Sequence, residues 1–120
     1  MPDCDILVIG AGPAGLYAAY YAGFRGFSVT VVDVLPEVGG QISAMYPEKD
    51  IFDVAGFPAV KGRDLVAGLA AQAGAFSPTL ILGQRVESLT SSPDGPVHAT
   101  TDAGTTITAK AAVITGGIGS

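Results

Sequence analysis

The chain is short of the residues that most often carry chemistry. Its 120 residues include one cysteine, one histidine and no tryptophan. A lone Cys4 excludes an internal disulfide, and it excludes a CxxC redox pair within these residues. Cys4 stands just before the first apolar run and reads as a small buried residue. His98 is isolated in a polar segment and carries no more weight. Basic residues are scarce: six lysines and arginines face eleven acids, for a net charge of −5. That balance argues against nucleic acid or an anionic membrane as partner. Charged residues make up 14% of the chain, low for a free-standing domain, so some surface is expected to be buried against something else. No charge falls between Ile6 and Phe24, yet Gly10, Gly12, Gly15, Gly23 and Pro13 interrupt that stretch. The leader Met1-Pro2-Asp3 is acidic rather than basic. Neither a membrane span nor a signal peptide is read there, and a cytoplasmic protein is expected.

What the chain has is glycine, 17 residues of it, several at defined turns. The length suits one domain, and 48% hydrophobic residues can supply its core. The turn Gly10-Ala11-Gly12-Pro13-Ala14-Gly15 follows the apolar run Ile6-Leu7-Val8-Ile9 and opens a helix-compatible segment. Ser28-Val29-Thr30-Val31-Val32 then ends on Asp33. Strand, glycine turn, helix, strand and carboxylate in this order bind a dinucleotide by its pyrophosphate and ribose. Gly10 permits the tight turn, Gly12 lets the backbone approach the phosphates, and Gly15 lets helix and strand pack closely. Unpaired N–H groups at the helix start meet the phosphates, aided by the helix dipole. Asp33 would accept hydrogen bonds from ribose hydroxyls and repel a 2′-phosphate, so FAD or NAD fits and NADP does not. Spacing alone does not separate FAD from NAD.

The first strand is read over Asp5–Ile9, helix one over Pro13–Arg25 with Gly26 as its stop, and strand two over Ser28–Asp33. Loop-like sequence runs from Val34 to Pro58, long enough to suggest function. A second helix is expected over Gly62–Gly74, with Leu65, Val66, Leu69 and Ala73 on one face. Leu80-Ile81-Leu82 reads as a short buried strand. Gln84–Thr90, Val97–Thr101 and Thr105–Lys110 read as an antiparallel meander joined by turns. Ala112–Thr115 reads as a last apolar strand before Gly116-Gly117-Ile118-Gly119-Ser120. Tyr17, Tyr20 and Tyr21 read as core and packing residues. The fold class is α/β: an incomplete Rossmann-like half-domain in three layers, with a parallel sheet, helices and a small three-stranded meander. A strand running into a glycine turn is an odd place for a domain to finish, so a fragment of a longer protein is expected.

Gly39-Gly40-Gln41-Ile42-Ser43-Ala44-Met45-Tyr46-Pro47-Glu48-Lys49, followed by Asp53-Val54-Ala55-Gly56-Phe57-Pro58, resembles the ferredoxin (flavodoxin)–NADP reductases of the thioredoxin-reductase type. The resemblance extends over essentially the whole chain. It implies that residues 1–120 are the N-terminal portion of an FAD-binding domain, lacking the NADPH domain and the C-terminal FAD segment. It implies FAD at the glycine turn, held by Gly10, Gly12, Pro13, Ala14, Gly15, Asp33, Gly40 and Gln41. Tyr46 would lie against one face of the isoalloxazine ring, which suits an aromatic side chain. Val86 would meet the adenine through its backbone, and Gly116 would lie beside the cofactor. The activity implied is transfer of electrons from NADPH through FAD to ferredoxin or flavodoxin, by a homodimer at full length. No catalytic side chain and no metal ligand is read. Two other readings stay open: a thioredoxin-reductase-like disulfide reductase, which needs a CxxC beyond Ser120, and a dinucleotide-binding module without turnover.

Overall fold

The computed structural model describes residues 3–116. β1 (Cys4–Ile9) is central, with β2 (Val29–Asp33) parallel on one side and β8 (Thr106–Ile114) parallel on the other. α1 (Pro13–Phe24) connects β1 to β2. α2 (Gly40–Met45) and the strand pair β3 (Asp50–Ile51) and β4 (Val60–Lys61) follow β2. α3 (Gly62–Gly74) leads to β5 (Thr79–Leu82), which pairs parallel with β2. β6 (Val86–Ser91) and β7 (Val97–Thr101) form antiparallel pairs that end on β8. The six-stranded sheet has the order β5-β2-β1-β8-β7-β6.

The two outer strands of this sheet are adjacent in sequence, which dictates its shape. Leu82 and Val86 are separated by three residues, a reach of at most about 14 Å. Across a flat sheet, β5 and β6 would be about 24 Å apart. The antiparallel part must therefore fold over the parallel part, and the core shows that it does. On one face, Val8, Val29 and Val31 pack with Leu16 and Ala19 of α1 and Ala73 of α3. On the other, Leu7 and Val32 pack with Ala99 and Ile107 of the antiparallel strands. The alternation Val29/Val31 against Val32 is the period of two that a strand covered on both faces requires. The three-layer Rossmann-like class is thus observed.

Several local expectations are met closely. α1 ends as the sequence requires: Gly26 takes φ +88°, its N–H donates to Gly23 O at 2.9 Å, and Phe27 N–H donates to Ala22 O at 3.0 Å. This pair of bonds is a Schellman motif, which favours a residue without a β-carbon. α3 coincides with the expected helix, and Leu65, Val66 and Ala73 are buried on it.

Others are corrected. The segments Thr105–Lys110 and Ala112–Thr115 are one strand, β8, shared by the parallel and antiparallel parts. Lys110, the expected end of the first segment, lies within the strand, and its ammonium pairs with Asp5 Oδ1 at 3.0 Å on the solvent side. Leu80-Ile81-Leu82 is not a buried strand: β5 is an edge, and Leu80 is 47% exposed. The stretch from Val34 to Pro58 is not all loop, since it holds α2 and β3, elements too short for their periodicity to be visible. Tyr17 and Tyr21 are not core residues, being 52% and 47% exposed. Tyr20 is half-buried, its ring 5.8 Å from that of Phe76.

Candidate functional site

β1 and β2 deliver the glycine turn and Asp33 to the same end of the sheet. The Gly10 N–H donates to Val32 O at 2.8 Å, and the Ala11 N–H donates to Asp33 Oδ2 at 2.8 Å. Asp33 Oδ1 accepts the Leu35 N–H at 3.2 Å. A carboxylate has about four acceptor positions, so two such bonds leave room for a ligand hydroxyl.

The three fingerprint glycines occupy different environments. Gly10 has φ +114°, and a β-carbon on it would lie 2.6 Å from Thr115 O. A β-carbon on Gly15 would overlap the Gly10 carbonyl oxygen. Gly12 is unlike both. Its φ of −76° suits any residue, and a β-carbon there would meet nothing nearer than Gly40 Cα at 3.8 Å. Neither the backbone nor protein packing demands glycine at this position. Open space beside it suits the close approach of a ligand.

Two cavities of about 270 Å³ each meet at this point, both lined by Gly10, Asp33 and Val34. One continues along Gly12, Pro13, Ala14, Gly40, Gln41 and Gly116. The other continues along β6, including Val86. The first turn of α1 borders the former cavity. Its Leu16 N–H closes the first helical bond to Gly12 O at 2.9 Å, while the Ala14 and Gly15 N–H groups find no partner among the described residues. Such groups and the helix dipole favour an anion.

The glycine pair after β2 is fastened to the turn. Gly39 N–H donates to Ala11 O at 2.7 Å, which brings Gly40 and Gln41 to the trough. Ser43 Oγ donates to Val38 O at 2.8 Å and braces this approach. Val86 begins the outer strand β6, and the register shifts between Val86 and Ser88. A bulge on an edge strand leaves backbone groups free for a ligand.

The expected residues are not all brought together. Gly15 lies beneath the turn, buried, rather than in the trough. Tyr46 stands just past the end of α2 and lines a separate cavity with Ile42, Lys49 and Phe52. Tyr46 is 43% exposed, with Lys49 Nζ 5.1 Å from its ring centroid. Gly117, expected beside Gly116, lies outside the described residues. Thr115 was missed as a site residue, although it lines the trough. A hydroxyl residue between the last strand and the glycine run was the available signal. Arg85 and Glu87, which border the Val86 cavity, had no distinguishing pattern.

The comparisons agree with this geometry. The family described as NAD(P)-binding Rossmann-like domain matches residues 8–57, from β1 through the glycine turn, Asp33 and α2. A ferredoxin–NADP reductase of Salinispora tropica is 62% identical over 120 residues, covering 100% of this chain and 37% of the relative. The chain is similar to the amino-terminal part of ferredoxin–NADP reductases. A second, from a Nocardioides species, is 62% identical over 98% of the chain and 36% of the relative. The chain therefore spans little more than a third of the length of these curated relatives. Among solved structures, thioredoxin reductase from T. acidophilum matches with a TM-score of 0.79 and 32% identity, over 98% of this chain and 36% of that one. The resemblance read from residues 39–58 is thus borne out. The chain has a dinucleotide-binding Rossmann-like fold related to that of the ferredoxin–NADP and thioredoxin reductases. Among the described residues, no helix is long and apolar enough to cross a membrane.

Proposed function

We propose that the whole protein is a cytoplasmic ferredoxin–NADP⁺ reductase and that residues 1–120 form the N-terminal portion of its FAD-binding domain. The NADPH domain, the C-terminal FAD segment and a homodimeric assembly belong to the same proposal. The observation that carries the FAD site is Gly12: a glycine that neither its own backbone angles nor its neighbours require, set where a pyrophosphate would approach. The sequence relatives at 62% identity, named ferredoxin–NADP reductases, support the choice of activity.

In this reading the Ala14 N–H, in the first turn of α1 bordering the trough, binds the pyrophosphate, and Pro13 starts the helix that aims it. Asp33 accepts the adenosine ribose hydroxyls with the lone pairs left over from Ala11 and Leu35. Val86 offers edge backbone to the adenine, and Gly40, Gln41 and Gly116 border the path toward the flavin. Tyr46 stacks on the flavin from the neighbouring cavity. When bound, the flavin supplies the redox chemistry, accepting a hydride and releasing single electrons. The chain's own work is to hold and orient it, so no side chain here is assigned as acid, base or nucleophile.

The natural full-length protein is expected to purify yellow and to pass electrons from NADPH to ferredoxin or flavodoxin. A colourless protein that takes up no added FAD would overturn the cofactor assignment. FAD binding with NADPH-driven reduction of a protein disulfide instead would give the thioredoxin-reductase-like activity. FAD binding with no turnover on either acceptor would leave a dinucleotide-binding module.

A further inference from the structure

Two carbonyl oxygens converge on one hydroxyl at the foot of the glycine turn. Thr115 Oγ1 lies 3.1 Å from Ile9 O and 3.2 Å from Gly10 O. Ile9 O already accepts the Thr115 N–H at 2.8 Å. Gly10 O has no other donor among the described residues. A hydroxyl has one proton to give, and Gly10 O is the oxygen that needs it.

The opposite end of the same peptide unit is held as well. The Ala11 N–H donates to Asp33 Oδ2 at 2.8 Å. The Gly10–Ala11 peptide is therefore pinned by two side chains, from the ends of β8 and β2. It needs pinning because Gly10, at φ +114°, has no side chain to restrict rotation of its carbonyl. Turned over, that carbonyl would aim its negative end toward the trough that the free N–H groups of α1 make attractive to an anion.

We propose that the Thr115 hydroxyl is a positioning group for the cofactor pyrophosphate: it holds the Gly10 carbonyl beneath the turn, so that donors alone face the phosphates. This assignment rests on the FAD reading of the trough. Thr115 acts through Gly10 and is not a catalytic residue. Its place also ties the exit of β8 to the phosphate site.

The test is FAD titration of the natural full-length protein and its T115V and T115S variants, with ³¹P NMR of the bound FAD. Valine keeps the shape of threonine and removes the hydroxyl; serine restores the hydroxyl. T115V is expected to bind FAD about tenfold more weakly, the loss expected for one neutral hydrogen bond. Its pyrophosphate resonances are expected to move, and T115S is expected to restore both affinity and resonances. A purely structural role would lower thermal stability without moving the phosphorus signals. Wild-type protein that takes up no FAD would overturn the FAD reading and this assignment with it. Wild-type binding with T115V unchanged in affinity and ³¹P shift, or T115S as impaired as T115V, would overturn the assignment alone. T115A serves if T115V does not fold; failure of both to fold would make the hydroxyl a structural support and overturn its positioning role.

Discussion

Gly15 lies so close to Gly10 that a β-carbon on Gly15 would overlap the Gly10 carbonyl oxygen, and would come within 2.8 Å of Thr115 Oγ1. These are backbone and braced groups, so the turn cannot yield cheaply. Gly15→Ala is expected to destabilise the protein by about 1–3 kcal/mol or more, the usual range for overpacking a tight site. Gly12→Ala is expected to leave thermal stability nearly unchanged, because its angles and space accept a methyl group. Its FAD affinity should nonetheless fall by tenfold or more, on the order of 1.4 kcal/mol. Thermal melts and FAD titrations of both variants check the contrast. Equal loss of stability in the two would mean that Gly12 serves the fold and not a ligand.

The contrast marks how far the sequence could be read. Its glycine spacing specified the strand–turn–helix unit because each glycine answers a local steric demand or a ligand's approach. Gly26 announced the end of α1 for the same local reason. The sequence reads β8 as two segments, whereas Lys110 lies inside one strand, where the pairing with Asp5 of β1 accounts for its charge. α2 was missed because six residues carry too little periodicity, although its residues Gly40 and Gln41 had been singled out. Thr115 escaped because its partners, Ile9 and Gly10, are more than 100 residues away in the chain. Tyr46 stands out through the resemblance alone, as an aromatic against the flavin; its separation from the trough follows from the end of α2.

Asp33 accepts two backbone N–H groups and, in the proposed reading, the ribose as well. Asp33→Ala removes the acceptor of the Ala11 and Leu35 N–H groups along with the proposed ribose acceptor. FAD binding is expected to weaken by about 1–3 kcal/mol, the cost of losing a charged hydrogen-bond partner. Asp33→Asn can still accept one of the two backbone bonds and is expected to lose less. Fluorescence titration with FAD measures both. Unchanged affinity in Asp33→Ala would take Asp33 off the ribose.

Tyr46 is 43% exposed, and its ring packs near Lys49 rather than in either core cluster. Its removal therefore sacrifices little buried area. Tyr46→Ala is expected to change stability by less than about 0.5 kcal/mol, as surface substitutions usually do. The visible absorption of bound flavin should shift, since an aromatic face would leave the ring. The spectrum and the melt are read on the same sample, and an unmoved spectrum would remove Tyr46 from the flavin.

Asp5 supplies a pH dependence at the end of the sheet remote from the glycine turn. The Ser28 N–H donates to Asp5 Oδ2 at 2.9 Å, and Lys110 Nζ lies 3.0 Å from Oδ1. The Ser28 backbone bond, then the Lys110 bond and charge, hold the Asp5 carboxyl below the ordinary aspartate range, against a smaller opposing effect of burial. A carboxylate whose folded pKa is depressed binds its proton less readily in the folded state than in the unfolded one. Its contribution is thus present above the unfolded value and is lost as pH falls through the folded one. The window lies below about pH 4, where an unperturbed aspartate titrates. Melting temperature measured against pH should therefore decline through this range in the wild type, and less steeply in Asp5→Asn. Lys110→Met should show an intermediate slope, because it keeps the Ser28 bond and loses the ammonium. Parallel pH profiles for all three proteins would mean that the bond between β1 and the start of β2 does not depend on the charge of Asp5.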